Sequence, residues 1–147
     1  MTDNLYKFAY DLILSKIDPV AEQAPHASKE VLTNGIFQAK QQGRVQILPN
    51  VRRRTIHILV HKNGYVADVH IFSDTNSPWD IVISHKQFLD WVRDKTSYEK
   101  LEAGTVHSAL CKVMERTGWQ YEGTRSQSHI SRNGQLDLHL YGYKVRR

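Results

Sequence analysis

The dipeptide Asn63-Gly64 stands between two apolar runs, 55–61 and 65–72, that are rich in β-branched residues. Asn-Gly favours a two-residue type I′ turn, the commonest connection in an antiparallel hairpin. Such a turn pairs Ile58 with Val69 and brings six apolar side chains onto one face: Ile56, Ile58, Val60, Ala67, Val69 and Ile71. The sequence therefore predicts a β-hairpin with one buried face.

Helical spacing of apolar residues predicts two helices before this hairpin. The first covers about 3–16 with Asp3 as its N-cap, and the second begins at Ser28 and ends at Gly43. After the hairpin, 80–83 is predicted to be a strand and Ser84 to cap a further helix.

The clearest helical pattern lies between Thr105, a candidate N-cap, and Gly118, a candidate terminator, with its helix predicted over Thr105 to Arg116. Residues 98–101 are predicted to form a short helical turn before it. A second hairpin follows. A loop of residues 132–134 places Ile130 opposite Leu136, whereas a two-residue loop of 133–134 places it opposite Asp137, and the apolar match favours the first register.

These elements predict an α+β fold in which helices pack with two antiparallel β-hairpins. The length of 147 residues suits a single compact domain, which the pattern also allows to be divided into subdomains 1–80 and 84–147.

Composition narrows the classes of function. Lysine and arginine number 20 against 15 acidic residues, a net charge of +5 that favours polyanionic partners. The single cysteine, Cys111, excludes an intramolecular disulfide and a cysteine-based zinc site, and it favours a cytoplasmic location. No apolar run is long enough for a membrane span, no signal peptide is expected, and no cofactor-binding motif such as a P-loop is present, so no cofactor is expected.

The element order from Ser84 onward resembles the winged-helix variety of helix-turn-helix domain. The matching stretches are SHKQFLDWV, SYEKLEAG, TVHSALCKVMERTGW and SHISRNGQLDLHLYGYKV. In that family the helix of the third stretch lies in the major groove and the hairpin wing touches the flanking backbone. The first half resembles, more loosely, the tandem winged helices of plasmid and phage replication initiators.

This resemblance implies a winged-helix-like C-terminal half and a non-enzymatic DNA-binding protein of bacterial, plasmid or phage type. Its partner would be double-stranded DNA, its role replication initiation or transcriptional regulation, and a homodimer is a further candidate. The predicted nucleic-acid contacts come from the polar helix face, the wing, the tail and an arginine cluster: Thr105, His107, Ser108, Lys112, Arg116, Arg125, Ser128, Arg132, Arg52, Arg53, Arg54 and Lys144.

Two alternatives remain open. Under the Asn63-Gly64 register His57 lies opposite His70, and Asp68 shares their face, so that these three side chains form a candidate metal site. Such a site would activate water in a metal-dependent nuclease. The third hypothesis is a small protein-binding inhibitor of a larger assembly.

Overall fold

The chain is described by a computed structural model that covers residues 1–19, 21–22, 24–131 and 134–146; the side chains of 127–131 and 134–135 lie outside that description. Within these residues it forms the following elements in chain order: α1 (Asp3–Lys16), α2 (Lys29–Gln41), β1 (Val45–Asn50), β2 (Thr55–His61), β3 (Val66–Ser73), α3 (Pro78–Lys95), β4 (Lys100–Thr105), α4 (Ser108–Arg116), β5 (Gln120–Ser131) and β6 (Gly134–Lys144). The predicted α+β class is confirmed at this level.

The strands form one mixed sheet in the order β1-β2-β3-β4-β6-β5. Adjacent strands in this sheet are antiparallel, except β3 and β4, which run parallel. Because a parallel pair needs a crossover connection, the chain leaves β3 through α3 before it returns as β4.

Two hydrophobic clusters lie on opposite faces of this sheet. On one face, α1 and α2 pack over β1–β3 around Leu12, Ile13 and Ile56. On the other face, α3 and α4 pack around Leu59, Leu101 and further residues of the central strands. The sheet is therefore covered on both sides over β1–β3.

The caps of the first two helices follow from local chemistry. The Ser28 hydroxyl accepts a hydrogen bond from the Val31 amide at 3.1 Å, as predicted. Gly43 follows α2 with φ of +74°, the left-handed conformation that its position after the helix requires. Thr2, rather than Asp3, caps α1 by accepting from the Leu5 amide.

The third helix begins six residues earlier than the sequence predicted. It starts at Pro78, whose fixed φ suits the first helical position, and not at Ser84. The predicted strand at 80–83 is therefore wrong, because those residues form the first turns of α3. Ser84 is buried inside the helix, where its hydroxyl donates to the Ile81 carbonyl.

The region between α3 and α4 contradicts the winged-helix prediction directly. Residues 98–101 are not a helical turn, because Lys100–Thr105 is the central strand β4. The following helix starts at Ser108, and Thr105 is the last residue of the strand rather than a helix cap. A helix-turn-helix needs two consecutive helices, and here a strand of the main sheet separates them.

The register of the β2–β3 hairpin differs by one residue from the predicted one. Ile58 pairs with His70, and His57 pairs with Ile71. A slip of one residue moves every side chain to the other face. The six apolar residues predicted on a single face consequently divide between the two: Ile56 and Ile58 face α1 and α2, whereas Val69 faces α3.

The C-terminal hairpin also differs from both predicted registers. His129 lies opposite Leu136, and Ser131 lies opposite Gly134. The predicted loop residues Arg132 and Asn133 lie outside the described residues. Among the helices of the described chain, none combines the length and apolarity that crossing a membrane requires.

Candidate functional site

The parallel strands β3 and β4 stay paired for a short distance only. Three residue pairs join them, the last of which is Asp68 with Glu102. Beyond this point β3 continues to Ser73 along β2, and β4 continues to Thr105 along β6. The main-chain edges at 69–73 and 103–105 make no ladder with each other, so the two strands part towards their carboxyl ends. We call the space between these two edges the β3–β4 opening. Crevices at this edge of an α/β sheet are where such folds bind ligands.

The β4 side of the opening is apolar and closely packed. Ala103 belongs to the core under α3 and α4. On the opposite face Gly104 is exposed, and the side chains of Leu138 and Leu140 lie so close to it that a Cβ there would be 3.2 Å from Leu138 Cδ1. Any side chain at 104 would push these leucines aside, so glycine keeps this wall of the opening narrow.

Polar side chains lie at the apex of the opening, on the face that α1 and α2 leave free next to β4. The Lys62 ammonium lies 3.7 Å from carboxylate oxygens of both Asp68 and Glu102, which shows that both acids share this face. His70 follows Asp68 by two residues and therefore points to the same side, where it is exposed. The apex thus combines an imidazole with two carboxylates.

Two ion pairs lie beside the mouth of the opening, where they join the β1–β2 turn to the segment after β3 and to the first turn of α3. Arg54 Nε donates to Asp74 at 2.6 Å, and Arg53 Nη1 donates to Asp80 at 2.8 Å. These hydrogen bonds are the main reason why the pKa of each carboxyl lies below its usual range. Both acids are therefore ionised at neutral pH.

In the segment between β3 and α3, several backbone amides already donate hydrogen bonds within the protein. The Asp74 amide donates to the Arg54 carbonyl, and the Thr75 and Ser77 amides donate to the hydroxyls of Ser73 and Thr75. The Thr75 hydroxyl in turn donates to the second oxygen of Asp80 at 3.1 Å. These bonds leave few donors of the segment free for a ligand.

A buried histidine pair lies between β2 and α3. Trp119 Nε1 donates to His85 Nε2 at 2.8 Å, and His85 Nδ1 lies 3.0 Å from His57 Nε2. Burial lowers the pKa of His85 to about 3, and burial with the neighbouring His85 lowers the pKa of His57 well below its usual range. Both rings are therefore neutral.

This arrangement shows that the predicted metal site is wrong. His57 is 2 % exposed on the α3 face, whereas Asp68 and His70 lie on the other face of the sheet. No group of histidine, cysteine or acidic side chains in the described residues is placed to hold a metal ion.

The residues predicted to contact nucleic acid do not form one surface. Thr105 is buried at the end of β4, whereas His107, Ser108, Lys112 and Arg116 are exposed on or next to α4. The others are spread over the molecule: Arg52 is exposed in the β1–β2 turn, Arg53 and Arg54 are engaged by carboxylates, and Arg125 and Lys144 are exposed on β5 and β6. Arg132 and the side chain of Ser128 lie outside the described residues.

A second polar cluster lies beside α4. The Tyr141 hydroxyl donates to Glu115 Oε1 at 3.3 Å, and burial together with Cys111 and Glu115 raises the pKa of Tyr141 above its usual range. On the neighbouring strands, Thr124 Oγ1 lies 3.1 Å from His139 Nδ1 and also bonds to Tyr121. These groups line the α4 face near the end of β4, since Thr105 pairs with His139.

Sequence reasoning did not place the residues that shape the opening. His70 was predicted as a metal ligand, Gly104 carries no local motif, and Asp80 was predicted to lie in a strand. The signal for the mouth was the order Arg53-Arg54 before the hairpin and Asp74 with Asp80 after it, which places opposite charges at the same end of β2 and β3.

Comparison with solved structures identifies the fold. The chain matches a spermidine N-acetyltransferase from Vibrio cholerae, solved in complex with CoA and spermine, with a TM-score of 0.74 at 12% identity over 99% of this chain and 92% of that one. A chimera of that enzyme matches with a TM-score of 0.75 at 12% identity, over the same shares of both chains. A ribosomal-protein alpha-N-acetyltransferase matches with a TM-score of 0.62 at 12% identity over 80% of each chain. No family model matches, and no curated protein matches by sequence.

These findings overturn the functional predictions made from the sequence. The chain has the fold of N-acetyltransferases, so the resemblance to winged-helix domains and to replication initiators is wrong. The predictions of a non-enzymatic DNA-binding protein, of replication or transcription as its role, and of double-stranded DNA as its partner are wrong with it, because the similar structures are enzymes of acetyl transfer. The nuclease and inhibitor alternatives do not fit these neighbours either.

Proposed function

We propose that this chain is an N-acyltransferase, which moves an acyl group from a thioester to an amine at the β3–β4 opening. The observation that carries the proposal is the divergence of β3 and β4 after three pairs, in a fold shared over 99% of the chain with an acetyltransferase solved with CoA and spermine.

The opening suits an extended thioester. Its facing strand edges, 69–73 and 103–105, present main-chain groups that make no ladder with each other. A pantetheine arm carries amides that pair with such edges as an added strand would. The apolar side chains of Leu138 and Leu140 beside Gly104 suit a small acyl group.

The chemistry needs a nucleophilic amine and a base. The amine nitrogen attacks the thioester carbonyl, the C–N bond forms, and the C–S bond breaks as the thiolate leaves. We assign His70 as the base that accepts the proton of the attacking ammonium, since it is exposed at the apex of the opening. An ammonium loses two protons as it becomes an amide: the first passes through His70 to solvent, and the second, lost from the nitrogen after the attack, protonates the released thiolate, so the reaction is balanced without a further reagent.

Two carboxylates at the apex offer contacts for a cationic acceptor. Asp68 and Glu102 are about one-third exposed on the same face as His70. Lys62 lies 3.7 Å from both acids and Lys100 also interacts with Glu102, so an alkylammonium group would bind here by exchanging with these lysines.

The test is amine-dependent release of thiol. The protein is incubated with one donor, acetyl-CoA or acetyl-pantetheine, and one amine. The amine is a polyamine, a lysine-containing peptide or a peptide with a free N-terminus. Free thiol and the mass of the amine are followed. We expect thiol release that requires both the protein and an amine. Release that never exceeds the protein-free rate with any pair would refute the proposal.

The His70→Gln variant tests the assigned base. We expect kcat to fall on the order of 100-fold, because general bases contribute about that much. His61→Gln is the matched control: His61 lies at the other end of β2, bonded to Tyr98, and its replacement should leave kcat unchanged. Equal rates in the His70 and His61 variants would remove the base assignment.

A further inference from the structure

The place where a phosphate of the donor would lie can be located from the fold. At the carboxyl edge of parallel strands, phosphates are held by the N-terminus of the following helix, by free backbone amides and by glycines that allow close approach. In this chain that place is the segment from Ser73 to the first turn of α3, beside the mouth of the β3–β4 opening. CoA, which accompanies one of the similar enzymes, would have to lay its pyrophosphate there.

The segment does not fit a pyrophosphate. It contains no glycine and no basic residue from Ser73 to Asp80. Three of its amides, those of Asp74, Thr75 and Ser77, already donate within the protein. Pro78 at the first helical position has no amide hydrogen to offer.

Two carboxylates, those of Asp74 and Asp80, already lie where a phosphate would place its negative charge. Asp80 stands in the first turn of α3, where the helix dipole favours negative charge, and Arg53 is paired with it at 2.8 Å. Asp74 is held by Arg54 through two hydrogen bonds. A phosphate would have to approach both carboxylates and displace them from the arginines, which costs more than it gains.

We propose that the site selects its donor by the acyl-pantetheine arm alone, and that it accepts acyl thioesters regardless of whether a nucleotide diphosphate is attached. This inference rests on the proposed acyltransferase function and names its donor class. The recognition elements are the unpaired strand edges and the apolar side chains around Gly104.

The experiment compares two donors that differ only in the nucleotide and its phosphates. The value of kcat/KM is measured for acetyl-CoA and for acetyl-pantetheine with the same amine, and the binding of CoA and of pantetheine is followed by calorimetry. We expect ratios below tenfold, which corresponds to less than about 1.4 kcal/mol from all phosphate contacts together. We also expect no loss of CoA binding as salt is raised.

A double variant tests whether removing the two carboxylates creates a preference for CoA. Asp74→Asn with Asp80→Asn removes both anions and frees two arginines, so CoA should become preferred over pantetheine by tenfold or more. Asp11→Asn, which alters an exposed ion pair on α1, should keep the native ratio. If the double variant unfolds, Asp74→Asn alone is measured, and the same direction of change is expected.

The outcomes separate the two proposals. A native preference for acetyl-CoA of more than tenfold, or loss of CoA binding with salt, overturns the donor inference and leaves the acyltransferase function standing. A double variant that folds without gaining a preference for CoA overturns it as well. No turnover with either donor refutes the acyltransferase function and, with it, this inference.

Discussion

His85 has a defined tautomer because its two ring nitrogens have different partners. The Trp119 indole can only donate, so His85 Nε2 must accept, and the proton of the neutral ring is on Nδ1. That proton points to His57 Nε2, which accepts it in turn. The direction of hydrogen bonding is therefore fixed from Trp119 through α3 to β2, and removing the indole removes the donor that starts it.

Trp119→Phe tests this directly. We expect the free energy of unfolding to fall by about 1–3 kcal/mol, because His85 Nε2 would be left buried without a donor. Urea denaturation measures the change. Trp79→Phe is the control, since Trp79 is 61 % exposed and its replacement should be nearly neutral. Equal losses in the two variants would contradict the role assigned to the indole.

Thr55 and Thr33 form a contrasting pair of buried hydroxyls. Within the described residues Thr55 Oγ1 is buried without a hydrogen-bond partner, whereas Thr33 Oγ1 donates to the Lys29 carbonyl at 2.8 Å. Thr55→Val should raise the free energy of unfolding by about 1 kcal/mol, because it removes an unsatisfied polar atom at constant shape. Thr33→Val should lower it by about 1 kcal/mol. Chemical denaturation of both variants is the measurement, and a loss in Thr55→Val would show that its hydroxyl has a partner.

At the scale of elements, the end of α3 depends on a residue far away in sequence. The Arg146 guanidinium donates to the main-chain carbonyls of Arg93, Thr96 and Tyr98. The last carbonyls of a helix have no partner within the helix, and a cation there also complements the helix dipole. Arg146 thus ties the final strand region to α3.

Arg146→Ala should lower the free energy of unfolding by about 1 kcal/mol, a modest value because the side chain is exposed. Arg146→Lys should recover less than half of it, since an ammonium lacks the planar fork that reaches several carbonyls. Arg116→Ala, on the exposed side of α4, is the control. Full recovery by lysine in thermal or urea unfolding would show that charge alone matters.

Local patterns predicted the helices better than the strand registers. Ser28 and Gly43 delimit α2 as expected, because capping is decided within a few residues. The β2–β3 register failed because β2 is buried on both faces: Ile56 and Ile58 pack against α1 and α2, whereas Leu59 packs on the α3 side, so burial of one apolar face does not fix the pairing. The start of α3 was missed because Pro78 was not weighed as a first helical residue.

For the molecule as a whole, the two neutral histidines set the response to acid. In the unfolded chain their ordinary pKa is 6.5, and in the folded chain it is lower for both. The unfolded state therefore binds more protons below pH 6.5, so stability is complete above that pH and is lost as pH falls towards about 3.

We expect the free energy of unfolding to fall by about 1.4 kcal/mol per pH unit for each histidine below about pH 6. Urea denaturation at a series of pH values measures the slope. His70→Gln, which changes an exposed histidine, should keep it. A free energy that stays constant between neutrality and about pH 5 would contradict the burial of two uncharged imidazoles.

The α+β class could be predicted from the sequence, and the fold could not. The decisive contact is the parallel pairing of β3 with β4, which are separated along the chain by the whole of α3 and which no local pattern reports. Residues 98–101 were assigned to a helix because their strand character depends on that pairing. The opening could not be predicted for a related reason. It exists because the backbone pairing of β3 with β4 stops, and residues beside it such as Ile71 and Ala103 look like any core residue in the sequence.

The short β3–β4 ladder divides the sheet into two halves, one of β1, β2 and β3 and one of β4, β6 and β5. Three backbone pairs connect the halves, whereas β5 and β6 are joined along most of their length. Side chains connect the halves instead, with Val69 of one half and Leu101 of the other in the same cluster. The angle between the halves consequently depends on the volume of these side chains. Replacing Leu101 by alanine would let the halves tilt, and the amide hydrogens of Ala67 and Asp68 would then exchange with solvent sooner than those of the outer strands.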